Sequence, residues 1–140
     1  MDFGCGPGGY SLSAARLTGP EGLVYAVDIH PLALRSVRKA MDKQGLSNIQ
    51  TLSARDVARV AQGSVDMVLL YDVLHDLPDP HPVLTELHRV LRPNGVLSIR
   101  DHHMEEASIL TMLASSSFLF AVNQGGTFRF QKTATGGTAL

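Results

Sequence analysis

Residues 1–10 read MDFGCGPGGY, a glycine-rich loop with only Met1, Asp2 and Phe3 ahead of Gly4. Such loops follow a buried strand and open a helix, so that backbone can approach a ligand closely. Gly4, Gly6 and Gly9 satisfy the G-x-G-x-x-G spacing, although in a chain with 13 glycines the spacing alone also describes a tight turn. The residues that follow add context. Gly9 to Thr18 reads as a short helix stopped by Gly19-Pro20, and LVYAV (23–27) reads as a buried strand closed by Asp28. An acid at the end of the second strand is placed to take two ribose hydroxyls, so the loop points to an adenosine-type cofactor.

The same alternation continues along the chain. Pro31 suits the first turn of a helix whose Leu34, Val37 and Met41 share one face, with Gly45 as its stop. IQTL (49–52) predicts a weaker strand and a loop containing Asp56, and VDMVLL (65–70) a stronger strand. Pro80 and Pro82 precede a helix with the apolar stripe Val83, Leu84, Leu87, Val90 and Leu91, ended by Pro93-Asn94-Gly95. VLSI (96–99) is the next strand, and a helix runs from about Glu105 to Ser115. FLFAV, NQGG and TFRFQK then predict an antiparallel hairpin with Phe128 and Phe130 on one face, before a frayed tail, TATGGTAL (133–140). The reading is one α/β domain over residues 1–132 and a flexible tail over 133–140.

Composition bounds the function. The chain has 140 residues, 44% of them hydrophobic, and a net charge of −1 without a lysine/arginine block, so no nucleic-acid partner is expected. Cys5 is the only cysteine, which excludes an internal disulfide and a cysteine-built metal site and fits a reducing, cytoplasmic setting. The N-terminus lacks a secretory pattern, and the apolar stretch ILTMLASSSFLFAV is too short and too serine-rich for a membrane helix.

Asp2 selects among adenosine cofactors. A diphosphate at the mouth of this loop would face a carboxylate, whereas an ammonium and a sulfonium would be attracted. S-adenosylmethionine therefore fits better than NAD. With that, the sequence resembles the class I S-adenosylmethionine-dependent methyltransferases. DFGCGPGGY resembles the family's first motif, VDIHP its acidic strand end, and SARDVA the segment whose acid meets the adenine amino group. VDMVLLYDVLHDLPDP resembles the fourth strand and the loop bordering the methyl group, LRPNGVLSIRDHH the turn and fifth strand, and TFRFQK the antiparallel end of the sheet.

The resemblance implies a Rossmann-like, doubly wound, mostly parallel sheet with a C-terminal antiparallel hairpin. It implies that Asp2 contacts the methionine ammonium and that Gly4, Cys5 and Gly6 supply backbone along the methionine portion. Asp28 would hold the ribose hydroxyls with Ile29 against the adenine, and Asp56 would accept from the adenine amino group with Val57 on the ring. Tyr71 and Asp72 would lie beside the methyl group. Alternatives stand next to these: Asp56 as a solvated loop residue or helix cap, Ile29 and Val57 as ordinary core, and Tyr71 as a strand-end anchor through its hydroxyl.

Methyl transfer from a sulfonium is catalysed mainly by alignment, with a base needed only when the acceptor must lose a proton. His75, after the fourth strand, and His102, with Asp101 and His103 after the fifth, are the candidate bases. Asp101 and a histidine could alternatively bind a metal, or these could be ordinary exposed loop residues; no metal site is assigned. His30, His81 and His88 read as helix-start or helix-surface positions. The family's first strand is reduced to about three residues and its preceding helix is absent, so the sequence reads as an N-terminally truncated member with the first strand largely missing. The expectation is methyl transfer to a small-molecule acceptor, the alternative a non-catalytic cofactor-binding remnant or interaction domain. A nucleotide-dependent oxidoreductase ranks below both.

Overall fold

The computed structural model describes residues 1–133; the expected tail lies, Thr133 apart, outside the described residues. The chain divides after Arg59 into two compact units.

The first unit contains β1 (Asp2–Phe3), α1 (Gly9–Thr18), β2 (Val24–Asp28), α2 (Pro31–Lys43), β3 (Ile49–Ser53) and a 3-10 turn, Ala54–Arg59. Its three strands are parallel in the order β3-β2-β1. Asp2 pairs with Ala26 and Phe3 with Val27, and the N–H groups of Gly4 and Cys5 both donate to the Val27 carbonyl at 2.8 and 2.9 Å. A strand of two residues is thus lengthened by a loop that keeps bonding to the same neighbour. Leu12 and Ala15 of α1 pack with Leu34 and Val37 of α2 over Val24, Ala26 and Ile49. Buried Asn48 donates from its amide to the carbonyls of Ala15 and Gly19, both at 2.8 Å, and satisfies groups that the end of α1 leaves open.

The loop's steric demand falls on a different glycine from the one the motif spacing marks. Gly8 has φ +97°, and a Cβ there would lie 2.8 Å from Val37 Cγ2. Gly9 already belongs to α1, and a Cβ there would meet nothing within 4 Å. Gly8 is what lets the loop turn into α1 against the face of α2.

The second unit contains β4 (Val65–Tyr71), a 3-10 turn (Leu74–Asp76), α3 (Pro80–Val90), β5 (Leu91–Arg100), α4 (Glu106–Ala114), β6 (Phe118–Gln124) and β7 (Thr127–Lys132). Its strand order is β4-β5-β7-β6, with β4 parallel to β5 and the last two pairings antiparallel. The expected hairpin is present. Gly125 and Gly126 both have positive φ, as a two-residue primed turn requires, and Phe128 and Phe130 are buried.

Three local readings change. Pro80 and Pro82 lie inside the first turn of α3, where their missing N–H groups cost no helical bond, and Asp79 accepts from the His81 N–H at 3.1 Å. Pro93-Asn94-Gly95 does turn the chain, but as a break within β5. Val65 pairs with Leu91 and Met67 with Val96, and Asn94 has φ +62°. His88 is buried rather than on the helix surface, because it stands four residues after Leu84 on the apolar stripe. Its ring meets Phe118 edge-on at 5.3 Å, and its Nε2 has no hydrogen-bond partner among the described residues. Among the described residues no helix is long and apolar enough to cross a membrane.

Two outcomes follow. Gly8→Ala should destabilise the protein by about 2–4 kcal/mol, from left-handed strain plus overpacking, while Gly9→Ala should stay within about 0.5 kcal/mol. Equal losses in urea unfolding would refute the assignment of the steric role to Gly8. For His88, burial, reinforced by Lys132, holds the imidazole below its ordinary pKa. The unfolded chain therefore binds a proton first, and this group's share of stability is lost as pH falls below about 6.5. Subtracting the unfolding free energies of wild type and His88→Phe between pH 7.5 and 5 should isolate that loss; a pH-independent difference would contradict it.

Candidate functional site

In the first unit, the end of β2 organises the expected cofactor residues. Asp28 Oδ2 accepts from the Gly6 N–H and Oδ1 from the His30 N–H, both at 2.9 Å. One backbone donor per oxygen orients the carboxylate and leaves a further lone pair on each atom. Ile29 is 69% exposed, which removes the reading of it as ordinary core. Val57 is buried, as its core reading expects. Asp56 stands in the first turn of its 3-10 segment, facing Arg59 at 3.4 Å.

Asp2 is buried and accepts from the Ser11 hydroxyl at 2.6 Å. Burial raises its carboxyl above the ordinary range, although the Ser11 bond opposes the shift. Cys5 is also buried; burial and the nearby Asp2 and Asp28 push its thiol up to about 12. It is therefore a neutral thiol at physiological pH. Ser11 was not singled out from sequence, since its partner lies nine positions away in a strand of only two residues.

In the second unit, two aspartate–histidine pairs cross between the segments that follow β4 and β5. Asp101, after β5, has a side chain with no exposure. It accepts from the His75 N–H at 3.1 Å and the His103 N–H at 3.0 Å, and its two oxygens lie 3.0 and 2.9 Å from His75 Nδ1. An ionised carboxylate only accepts, so the His75 Nδ1 carries the proton of this contact. Burial would raise the Asp101 carboxyl, but the His75 ring and the N–H groups of His103 and His75 outweigh it and hold it below the usual range. The same hydrogen bond raises His75, against some desolvation. Asp76 lies 3.3 Å from His75 Nε2, and the His103 ring is 4.3 Å from the His75 ring, centre to centre.

The reciprocal pair is Asp72, after β4, with His102. Asp72 Oδ1 accepts from the His102 N–H and lies 2.8 Å from its Nδ1 as well. The backbone bond is the main cause that lowers the Asp72 carboxyl. Asp72 has φ +54° and donates its own N–H to the Arg100 carbonyl at 2.7 Å. Tyr71 reaches Ser98 through its hydroxyl at 2.8 Å, as the anchoring alternative describes. Beside His102 lies a cavity of about 170 Å³ lined by Arg100, Asp101, Ile109 and Phe128, among others. Among the described residues no three His, Cys, Asp or Glu side chains form a group that could hold a metal ion.

A family model described as a methyltransferase domain matches residues 1–133. The demethylmenaquinone methyltransferase of Geobacillus stearothermophilus is 30% identical over 97 residues, 69% of this chain and 42% of that protein. The ubiquinone biosynthesis O-methyltransferase of Thiobacillus denitrificans (strain ATCC 25259 / T1) is 26% identical over 133 residues, 94% of this chain and 56% of that protein. The crystal structure of a SAM dependent methyltransferase from Aquifex aeolicus matches with a TM-score of 0.85 at 22% identity, covering 94% of this chain and 80% of that one. The α/β Rossmann-like fold with antiparallel C-terminal strands is therefore shared. The chain spans about half the length of the curated relatives it matches.

The Asp101 pairing makes a spectroscopic prediction. His75 should titrate above the ordinary histidine value of about 6.5, with the proton on Nδ1 in the neutral form. Asp101→Asn should bring the midpoint back down. Imidazole NMR across pH 5–9 reads both, and an unchanged midpoint in the variant would remove Asp101 as the cause.

Proposed function

The chain belongs to the methyltransferase domain family, and from that premise we propose that it transfers a methyl group from S-adenosylmethionine to a small-molecule acceptor. The observation that carries this reading is Asp28. Its two oxygens are each fixed by one backbone N–H and each keep a lone pair, a match to two neighbouring ribose hydroxyls. Exposed Ile29 beside it offers an apolar surface for an adenine ring, and in this reading Asp56 and Val57 serve the adenine too. Gly4, Cys5 and Gly6 offer backbone to the methionine portion. Asp2, buried and with its carboxyl raised, gains a compensating charge from a ligand ammonium.

When bound, S-adenosylmethionine supplies a methyl group on a sulfonium centre that an acceptor displaces in line. The chain's own residues orient and exclude. Cys5, neutral as a thiol, does not compete as a methyl acceptor. His75 Nε2 takes the acceptor's proton, Asp101 holds the imidazole in the tautomer that allows this, and His102 is the second candidate base, oriented by Asp72. Tyr71 and Asp72 border the methyl group in this assignment. We place these roles in a single methyltransferase domain over residues 1–132, acting in a cytoplasmic setting.

The small-molecule class is supported by the absence of a basic block in the sequence and by relatives named for quinone biosynthesis. Calorimetric titration tests the reading. Saturable binding of S-adenosylmethionine and S-adenosylhomocysteine but not NAD is expected. Asp28→Ala should weaken it at least roughly tenfold, since hydrogen bonds to a charged group are worth about 1.5–3 kcal/mol. A folded chain that binds neither compound would overturn the proposal. Binding without turnover across varied acceptors would turn it toward the cofactor-binding domain that does no chemistry.

A further inference from the structure

We propose that Arg100 and Arg129 form an anion subsite for the acceptor, taking a carboxylate or phosphate group that the acceptor carries; this deepens the reading above and rests on it. The second unit pairs its other described cations. Arg89 holds Glu86 at 2.6 Å and the Val60 carbonyl at 2.9 Å, Arg92 holds Asp66 at 2.9 Å, and Lys132 donates to the Leu91 carbonyl at 2.7 Å. Arg100 and Arg129 have no ion pair and no side-chain hydrogen bond among the described residues.

Strand register brings these two together. Arg129 of β7 stands directly opposite Ser98 of β5, and Arg100 is two residues beyond Ser98 on the same strand. Residues two apart in a strand share a face, as do residues opposite one another. Tyr71, which pairs with Arg100 across the β4–β5 ladder, reaches Ser98 through its hydroxyl at 2.8 Å and so lies on this face too. The two arginines are diagonal neighbours, roughly 7–8 Å apart in such an arrangement with their Cβ atoms somewhat closer, well within the span of two long side chains. Arg100 is half-buried, where an unpaired guanidinium costs more than at the open surface.

The carboxylates around Arg100 have other partners: Asp101, next to it in sequence, is engaged by His75, Asp72, next to its register partner Tyr71, by His102, and Glu106, which lines the same cavity, accepts from the Asn123 amide. Two unpaired planar forks beside a hydroxyl pair suit bidentate capture of a carboxylate or phosphate. The Arg100 carbonyl also accepts the Asp72 N–H, which ties the subsite to the segment that carries the histidine pairs. An acceptor with an ionisable hydroxyl at one end and an anion at the other fits that order.

The test is arginine side-chain NMR on the full chain, titrated at low salt with benzoate, inorganic phosphate and, as neutral control, benzyl alcohol. Saturable shifts of the Arg100 and Arg129 Nε–H signals with benzoate or phosphate, absent with benzyl alcohol, are expected; the tighter anion identifies the group. R100Q and R129Q should each weaken binding at least roughly tenfold, and R100K, which keeps charge but loses the fork, should fall between. Backbone spectra confirm that the variants fold, and R100K and R129K replace the glutamine variants if those do not. Linear, unsaturable shifts at all arginines, or equal affinity in the variants, would overturn the subsite. Binding of S-adenosylmethionine by wild type is measured separately, so failure of the methyl-transfer reading and failure of the anion subsite give different results.

Discussion

The first unit depends on what the end of β2 does with its polar groups. The Val27 carbonyl takes two N–H groups from the loop, and the Asp28 carboxylate takes a third from Gly6. A loop with left-handed glycines has no regular ladder of its own, and unpaired backbone donors would be costly once buried. Here the neighbouring strand supplies the acceptors, so β1 can be two residues long and still be aligned. The same carboxylate that closes the loop is the group we propose meets the ribose hydroxyls. On that proposal, loop shape and ligand recognition are not separable at Asp28: its removal would loosen the Gly6 N–H as well as take away the acceptor.

The second unit handles buried charge by reciprocity. Asp101 is fully enclosed and would be expensive as an isolated anion, yet it accepts from two backbone N–H groups and an imidazole. Asp72, part-exposed, accepts from the backbone N–H and the imidazole of His102 in the opposite segment, at the expense of a left-handed backbone at a residue with a Cβ. Each segment thus contributes one carboxylate and one histidine to the other. This crossed arrangement fixes two imidazoles by their Nδ1 atoms, and fixing one nitrogen is what defines the chemistry available at the other.

Most of the element order was legible because it rests on local signals. β-rich apolar runs, a proline at the helix start and a glycine after its end are properties of short windows, and α1 through β7 follow them closely. Asp28 was legible for the same reason, since its position at a strand end is a spacing. What escaped depends on residues distant in sequence. Gly8 rather than Gly9 bears the steric load because Val37 packs over it, and no feature of the loop records that contact. Ser11 finds Asp2 only once α1 lies along β1. His88 is a mixed case: its spacing from Leu84 placed it on the apolar stripe, but its polarity argued for the surface, and packing against Phe118 won. The arginine pair is invisible without the register of β5 against β7, since Ser98 and its partner Arg129 are far apart in sequence and a shift of one would send Arg129 to the other face.

The chemistry assigned to these groups is consistent with how little of it is acid–base machinery. On the proposed reading the donor is a sulfonium, already an activated methyl donor, so what falls to the protein is to hold partners in line and to control which nucleophiles are ionised. Burial does that in opposite directions at two places. It keeps the Cys5 thiol protonated in the loop, where, on that reading, a thiolate would compete for the methyl group. It also encloses Asp101, but there hydrogen bonds reverse the effect and keep the carboxylate charged, so that His75 can accept a proton and have the resulting cation stabilised. The difference lies in the donors each group meets: Cys5 is surrounded by the like charges of Asp2 and Asp28, Asp101 by three N–H groups. Burial thus silences one potential nucleophile in the first unit, while hydrogen bonds at buried Asp101 sustain one potential base in the second.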